Sequence, residues 1–156
     1  MSKIGKNLGS VTLGKYPNAD AYRQPLEKAG CRISRWAADI LGKMSVQRSK
    51  TQLELVAVTN AELGRPKGCT YAETCKLAEV QGLYLCPAEV GPALREQSKT
   101  ADWLLVAMKP IADSDGGLCL FRLVRCGGGL WLFADDGEPG GFWDGVAVFV
   151  FARRKV

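Results

Sequence analysis

Thr70–Gln97 reads TYAETCKLAEVQGLYLCPAEVGPALREQ, and its punctuation sets out a helix, a stop, a short apolar strand and a second helical start. Thr70 and Glu73 stand at capping-box spacing: the Thr70 hydroxyl can accept from the amide of residue 73, and Glu73 can reach back to the amide of residue 70. Tyr71, Cys75 and Ala78 recur at i, i+4 and i+7 with Thr74 beside them, so one narrow face is apolar or small. Gly82 offers the left-handed residue that ends such a helix. The spacing predicts a helix over 71–81, then a buried strand at Leu83–Cys86. Pro87 suits a first helical position and Glu89 a first turn, where the helix dipole favours negative charge. Gly91-Pro92 reads as an interruption, leaving a turn and a short helix at 93–97.

Downstream, Trp103–Ile111 is apolar on both faces, as expected of a central strand. Asp113-Ser-Asp-Gly-Gly117 makes a hairpin turn into a strand at Leu118–Cys126, whose Arg122 and Arg125 fall on opposite faces. Gly127-Gly-Gly129 turns again into Leu130–Ala134. A Gly/Asp/Pro loop at 135–145 leads to a last strand at Val146–Ala152. Upstream, Gln52–Thr59 alternates as a strand, and Thr59-Asn-Ala-Glu62 repeats the capping-box spacing before Gly64. Two short helices precede it. One is capped by Asn18 or Asp20 and delayed to about residue 24 by Pro25. The other, 34–41, is capped by Ser34 and stopped at Gly42.

Strands cluster at the end of the chain and helices earlier, which is an α+β pattern. The expected architecture is a single domain over 18–156, preceded by a mobile segment 1–17 in which Val11–Leu13 alone reads as an edge strand. A mixed or antiparallel sheet of five or six strands would carry helices 71–81 and 34–41 packed on one face.

All 156 residues fit one domain, and 47% of them are apolar, enough for a sizeable core. No run approaches the ~20 apolar residues of a membrane span, and the first residues lack a signal-peptide core, so a cytoplasmic protein is expected. The chain has six cysteines without a C-x-x-C pair and no histidine. His-based triads, His-bearing zinc sites and histidine acid–base catalysis are thereby excluded within the chain. No cofactor or metal motif is found. Asp113-x-Asp115-Gly116 starts like a calcium loop, but the twelfth position holds no Glu. Charge is uneven: residues 1–50 hold ten Lys/Arg against three Asp/Glu, whereas each later portion is within one charge of neutral.

Three sets of residues are candidates for function. Cys86 before a helix start, with Glu89 and Arg95 following, is the first; a thiol there can become reactive, although a small buried cysteine is the commoner role. The second is the acidic loop, where Asp135 lies beside Trp131 and Trp143 and could form a polar ligand site. Its plainer role is a solvated turn with aromatics over the core edge. The third is the outline of a helix-turn-helix around Gly30 bearing Arg23, Lys28, Arg32, Arg35 and Lys43. Its second helix, RWAADIL, offers few base-reading side chains, so a solvated basic face is the plainer role.

The stretches YRQPLEKAGCRISRWAADILGK, LYLCPAEVGPALREQ, WLLVAMKPIADSDG and GLWLFADDGEPGGFW…VFVFARRK resemble a group of small bacterial proteins that includes some borne on mobile elements. The group has no assigned activity, so the resemblance implies no site residue, cofactor or partner. The expectation is a non-catalytic intracellular binding protein, its small-molecule or protein ligand near Cys86-Pro87 or the 135–145 loop. Nucleic-acid binding through residues 1–50 is the alternative, and a His-free enzyme using carboxylates with Arg95 or Cys86 a weaker one.

Overall fold

In the computed structural model, which describes residues 4–156, the first helix of the quoted stretch is α3, Tyr71–Val80. Its capping box is complete: the Glu73 amide donates to the Thr70 hydroxyl, and the Thr70 amide donates to the Glu73 carboxylate. The amides of Tyr71 and Ala72 donate to the carbonyls of Gly141 and Pro139, so the exposed end of the helix is satisfied by the acidic loop. The same box at Thr59–Glu62 forms its hydrogen bonds but starts only a turn.

Eight strands make one mixed sheet, more than the five or six expected. They are β1 (Lys6–Leu13), β2 (Cys31–Ile33), β3 (Thr51–Thr59), β5 (Leu104–Val106), β6 (Ile111–Ala112), β7 (Leu118–Cys126), β8 (Gly129–Asp136) and β10 (Val148–Ala152). The order is β1-β3-β10-β5-β7-β8-β2, with β6 paired onto β7. The β10–β5 and β2–β8 pairs are parallel, the others antiparallel. A separate two-stranded ribbon joins β4 (Cys69–Thr70) to β9 (Phe142–Trp143). The edge strand read at Val11–Leu13 in fact begins at Lys6 and pairs along β3, so the described part of the expected mobile segment is largely sheet. Met1–Lys3 of that segment lie outside the described residues. Trp103–Ile111 is broken into the three-residue β5 and the start of β6: Trp103 lies outside the sheet at positive φ, the Met108 amide donates to the Tyr71 hydroxyl, and Pro110 has no amide to give.

β2 also removes the helix-turn-helix. The segment between α1 (Arg23–Lys28) and α2 (Arg35–Leu41) is a strand running parallel to β8 and not a turn.

Register assigns the two faces of the sheet. Leu104, Leu123 and Leu132 are successive partners on one face; Phe149, Leu105, Arg122 and Phe133 are successive partners on the other. α4 (Val90–Gln97) lies on the first face, where a Cβ on Gly91 would stand 2.5 Å from the Phe121 ring. Gly91-Pro92 is therefore no interruption. Glycine permits the close approach, and Pro92 falls in the first turn, where no intrahelical amide bond is required. α3 lies on the second face, with Tyr71 against Phe149. Helices thus cover both faces, contrary to the one-sided packing expected.

Candidate functional site

The second face is covered unevenly. Over β10 and β5 it is roofed by Tyr71 of α3, tilted over Phe149, and by Trp143 of β9, edge-on to the same ring. Among the described residues no helix covers its continuation over β7, β8 and β2. There the two-residue alternation of β8 places Trp131, Phe133 and Asp135 on one surface. Arg32 of β2 is the register partner of Trp131, and Arg122 of β7 that of Phe133. Trp131 and Phe133 stack at 5.2 Å between ring centres.

Arginines are laid on this surface in contact with indoles. The Arg122 guanidinium stands 4.5 Å from the Trp103 ring centre and 5.9 Å from that of Trp143, and its Nη1 donates to the Asp135 carboxylate at 2.6 Å. Arg32 lies 5.7 Å from the Trp131 ring, and at the sheet edge Arg35 lies 5.1 Å from the Trp36 ring. The chain has four tryptophans, and each has an arginine over it. Arg32 and Arg35 have no carboxylate partner among the described residues.

Trp103 carries a second mark. It is the one non-glycine among the described residues with positive φ, 57°, and its side chain is 58% exposed. A bulky residue held in the left-handed region costs of order 1–3 kcal/mol and persists only where the surroundings impose it. Here the cost does not hide the indole; it holds the ring in solvent beside Arg122. Trp103, Trp143 and Arg122 border a hollow of about 330 Å³ together with Asp144 and Val146.

The sequence-derived candidates divide. Trp131, Asp135 and Trp143 meet on this face, and Arg32 of the basic set joins them. Cys86, Glu89 and Arg95 are instead buried. The Cys86 thiol donates to the Val150 carbonyl, and burial pushes its pKa up, the opposite of an activated nucleophile. Cys86 is also not at a helix start, since the cap of α4 is Glu89. The Glu89 carboxylate accepts from the amides of Gly14 and Gln47 and from the Tyr22 hydroxyl. Arg95 donates to the carbonyls of Val124 and Ser98 and has no carboxylate ion-pair partner among the described residues. Of the other basic residues, Arg23 pairs with Asp20 and the Ala38 carbonyl, and Lys43 with Asp39 and the Ala112 carbonyl; Lys28 is exposed on α1. The basic set is spread over α1, β2, α2 and the turn that follows it.

Trp103, Arg122 and Phe133 were missed as site residues. One signal was present: an arginine in the middle of the apolar strand LCLFRLVRC demands a spot where the sheet is uncovered. The acidic loop, by contrast, mostly serves its own backbone. Asp135 accepts from the amide of Asp136, Asp136 from that of Glu138, and Asp144 from those of Val146 and Ala147.

Two other hollows bear on ligand binding. The larger of these, about 660 Å³, lies on the first face near the end of α4 and is lined by Lys6, Ser10, Thr59, Ser98 and Asp102 among others. A shallower one of about 400 Å³ fronts the Cys86-Pro87 turn with Lys43 and Lys109 at its rim. Comparison with protein-family models, with curated proteins and with solved structures finds no match. Among the described residues no helix is long and apolar enough to cross a membrane.

Proposed function

We propose that this is a non-catalytic binding protein whose ligand, planar and anionic, lies on the open sheet face over β7, β8 and β2. The observation that carries the proposal is Trp103, kept at φ 57° so that an exposed indole flanks Arg122. Indoles supply flat apolar area at little entropic cost, and stacked guanidiniums add charge with their planes already fixed. The chemistry suits recognition better than reaction. Asp135 is engaged by Arg122 and Asp144 by the amides of Val146 and Ala147, and the tryptophans and arginines have no proton to exchange near neutral pH.

The test is a titration with aromatic anions, benzoate and naphthyl phosphate, followed through the four indole N–H signals in proton–nitrogen spectra. The signals of Trp103, Trp131 and Trp143 are expected to move together. If they stay fixed while the amides of Ser98, Thr100 and Asp102 move, the ligand belongs to the larger cleft and the proposal fails.

A further inference from the structure

We propose that the ligand of this face is single-stranded nucleic acid, a conclusion that rests on the open face being the binding site. Bases offer a π-face to any exposed ring or guanidinium plane, and the phosphates between them need cations close by. The face supplies both. Trp131 lies beside Arg32, Trp103 and Trp143 beside Arg122, and Trp36 beside Arg35 at the edge. Arg32 and Arg35 are exposed and have no ion-pair partner among the described residues, so they are the two cations left for phosphate. Arg122, already neutralised by Asp135, serves as a stacking plane between indoles.

Size agrees with this. From β5 through β7 and β8 to β2 the sheet crosses three strand spacings of about 4.8 Å, about 14 Å in all. A strand whose bases lie on rings and not on one another takes more than the roughly 3.4 Å per nucleotide of a stacked strand, so this holds at most about four. A duplex fits poorly. Its bases are stacked on one another and out of reach, and this face presents neither a helix nor a long ribbon to enter a groove. Exposed Asp136, Glu138 and Asp144 at the rim would also repel a second phosphate backbone. Contacts to π-faces carry little sequence information, so discrimination among bases should be weak.

The experiment is fluorescence anisotropy with a labelled 12-nucleotide uridine RNA, a 12-nucleotide thymidine DNA and a 12-base-pair duplex, each at two salt concentrations. Single strands are expected to bind at least tenfold tighter than duplex, with a log–log salt slope near −1.4, two phosphates at about −0.7 each. Trp131→Ala should weaken binding by about five- to a hundredfold, as expected for loss of one stacked base. Arg32→Ala, at an exposed edge where folding is not at stake, should weaken it and make the slope shallower by about 0.7. Lys28→Ala on α1 should change neither. Equal affinity for duplex and single strands, or binding that survives both face variants, would overturn the proposal. If no oligonucleotide binds while the aromatic anions still move the three indoles, the ligand class is wrong and the site stands. If neither acts, both proposals fall, and a protein recovered by crosslinking through Trp131 would identify a different class of partner.

Discussion

Trp103 occupies a conformation that its own chemistry disfavours. The left-handed region brings Cβ toward the following carbonyl, and only glycine enters it without penalty. Two contributions can therefore be separated at one position. Trp103→Ala removes the indole but keeps the strain, whereas Trp103→Gly removes both. The glycine variant should be the more stable of the two by about 1 kcal/mol in urea denaturation, with equal slopes. Equal midpoints would mean that the backbone at 103 relaxes freely and that nothing holds the indole in place. The strain was invisible in the sequence. WLLVAM reads as uninterrupted strand, and only the surroundings decide that its first residue leaves the sheet. Gly91 is the reverse case. Its neighbour Pro92 made it look like a breaker, while its actual role depends on Phe121, thirty positions away in sequence.

Elements written in local chemistry were legible and elements made by pairing were not. α3 and α2 were readable because Thr70, Glu73 and Ser34 cap through atoms three positions away. The two hairpins around β7 were readable because Asp-Gly and Gly-Gly turns permit few alternatives; Gly127 and Gly128 both have positive φ. β2 was not readable, since three residues, Cys31–Ile33, become a strand only by lying beside β8, about a hundred residues later. The site shares that fate. Trp131 and Asp135 could be noted in one strand, but their meeting with Arg32 and Trp103 is a product of strand order. A contact between elements offers the next test. The Asp39 carboxylate of α2 accepts from the amide and hydroxyl of Ser114 in the β6–β7 turn, and these bonds hold its pKa below the ordinary carboxylate value. A depressed pKa gives stability that is present above the unfolded pKa and lost as pH falls through the folded one. Asp39→Ala should therefore lower the thermal midpoint at pH 7, and the gap to wild type should close as pH falls below the carboxylate range. A gap that stays constant with pH would show that packing, and not charge, carries the contact.

At the scale of the whole molecule, the N-terminal third has to be fastened to a sheet built mainly from the rest of the chain. Glu89 does much of this. Its buried carboxylate takes hydrogen bonds from Gly14 at the end of β1, Tyr22 before α1 and Gln47 before β3. These partners are 75, 67 and 42 positions away, so each bond closes a long loop. A carboxylate can accept at both oxygens, whereas an amide has a donor at one. In Glu89→Gln the new NH₂ must face either the Gln47 amide or the Gly14 amide and Tyr22 hydroxyl, leaving a buried donor without an acceptor. The expected loss is about 1–3 kcal/mol, although size and shape barely change. Hydrogen exchange should localise it, with faster exchange at Gly14 and Gln47 and no change at the α3 amides. Tyr22→Phe supplies the matching pH test. Burial, then the bond to Glu89, raises the Tyr22 pKa, so the phenol's contribution is intact below the unfolded pKa of about 10 and is lost as pH rises above it. The wild-type protein should lose part of its stability between pH 9 and pH 11, and Tyr22→Phe should lose less over that range. Parallel curves for the two proteins, or a Glu89→Gln variant as stable as wild type, would show that strand pairing and apolar packing hold the N-terminal third without Glu89.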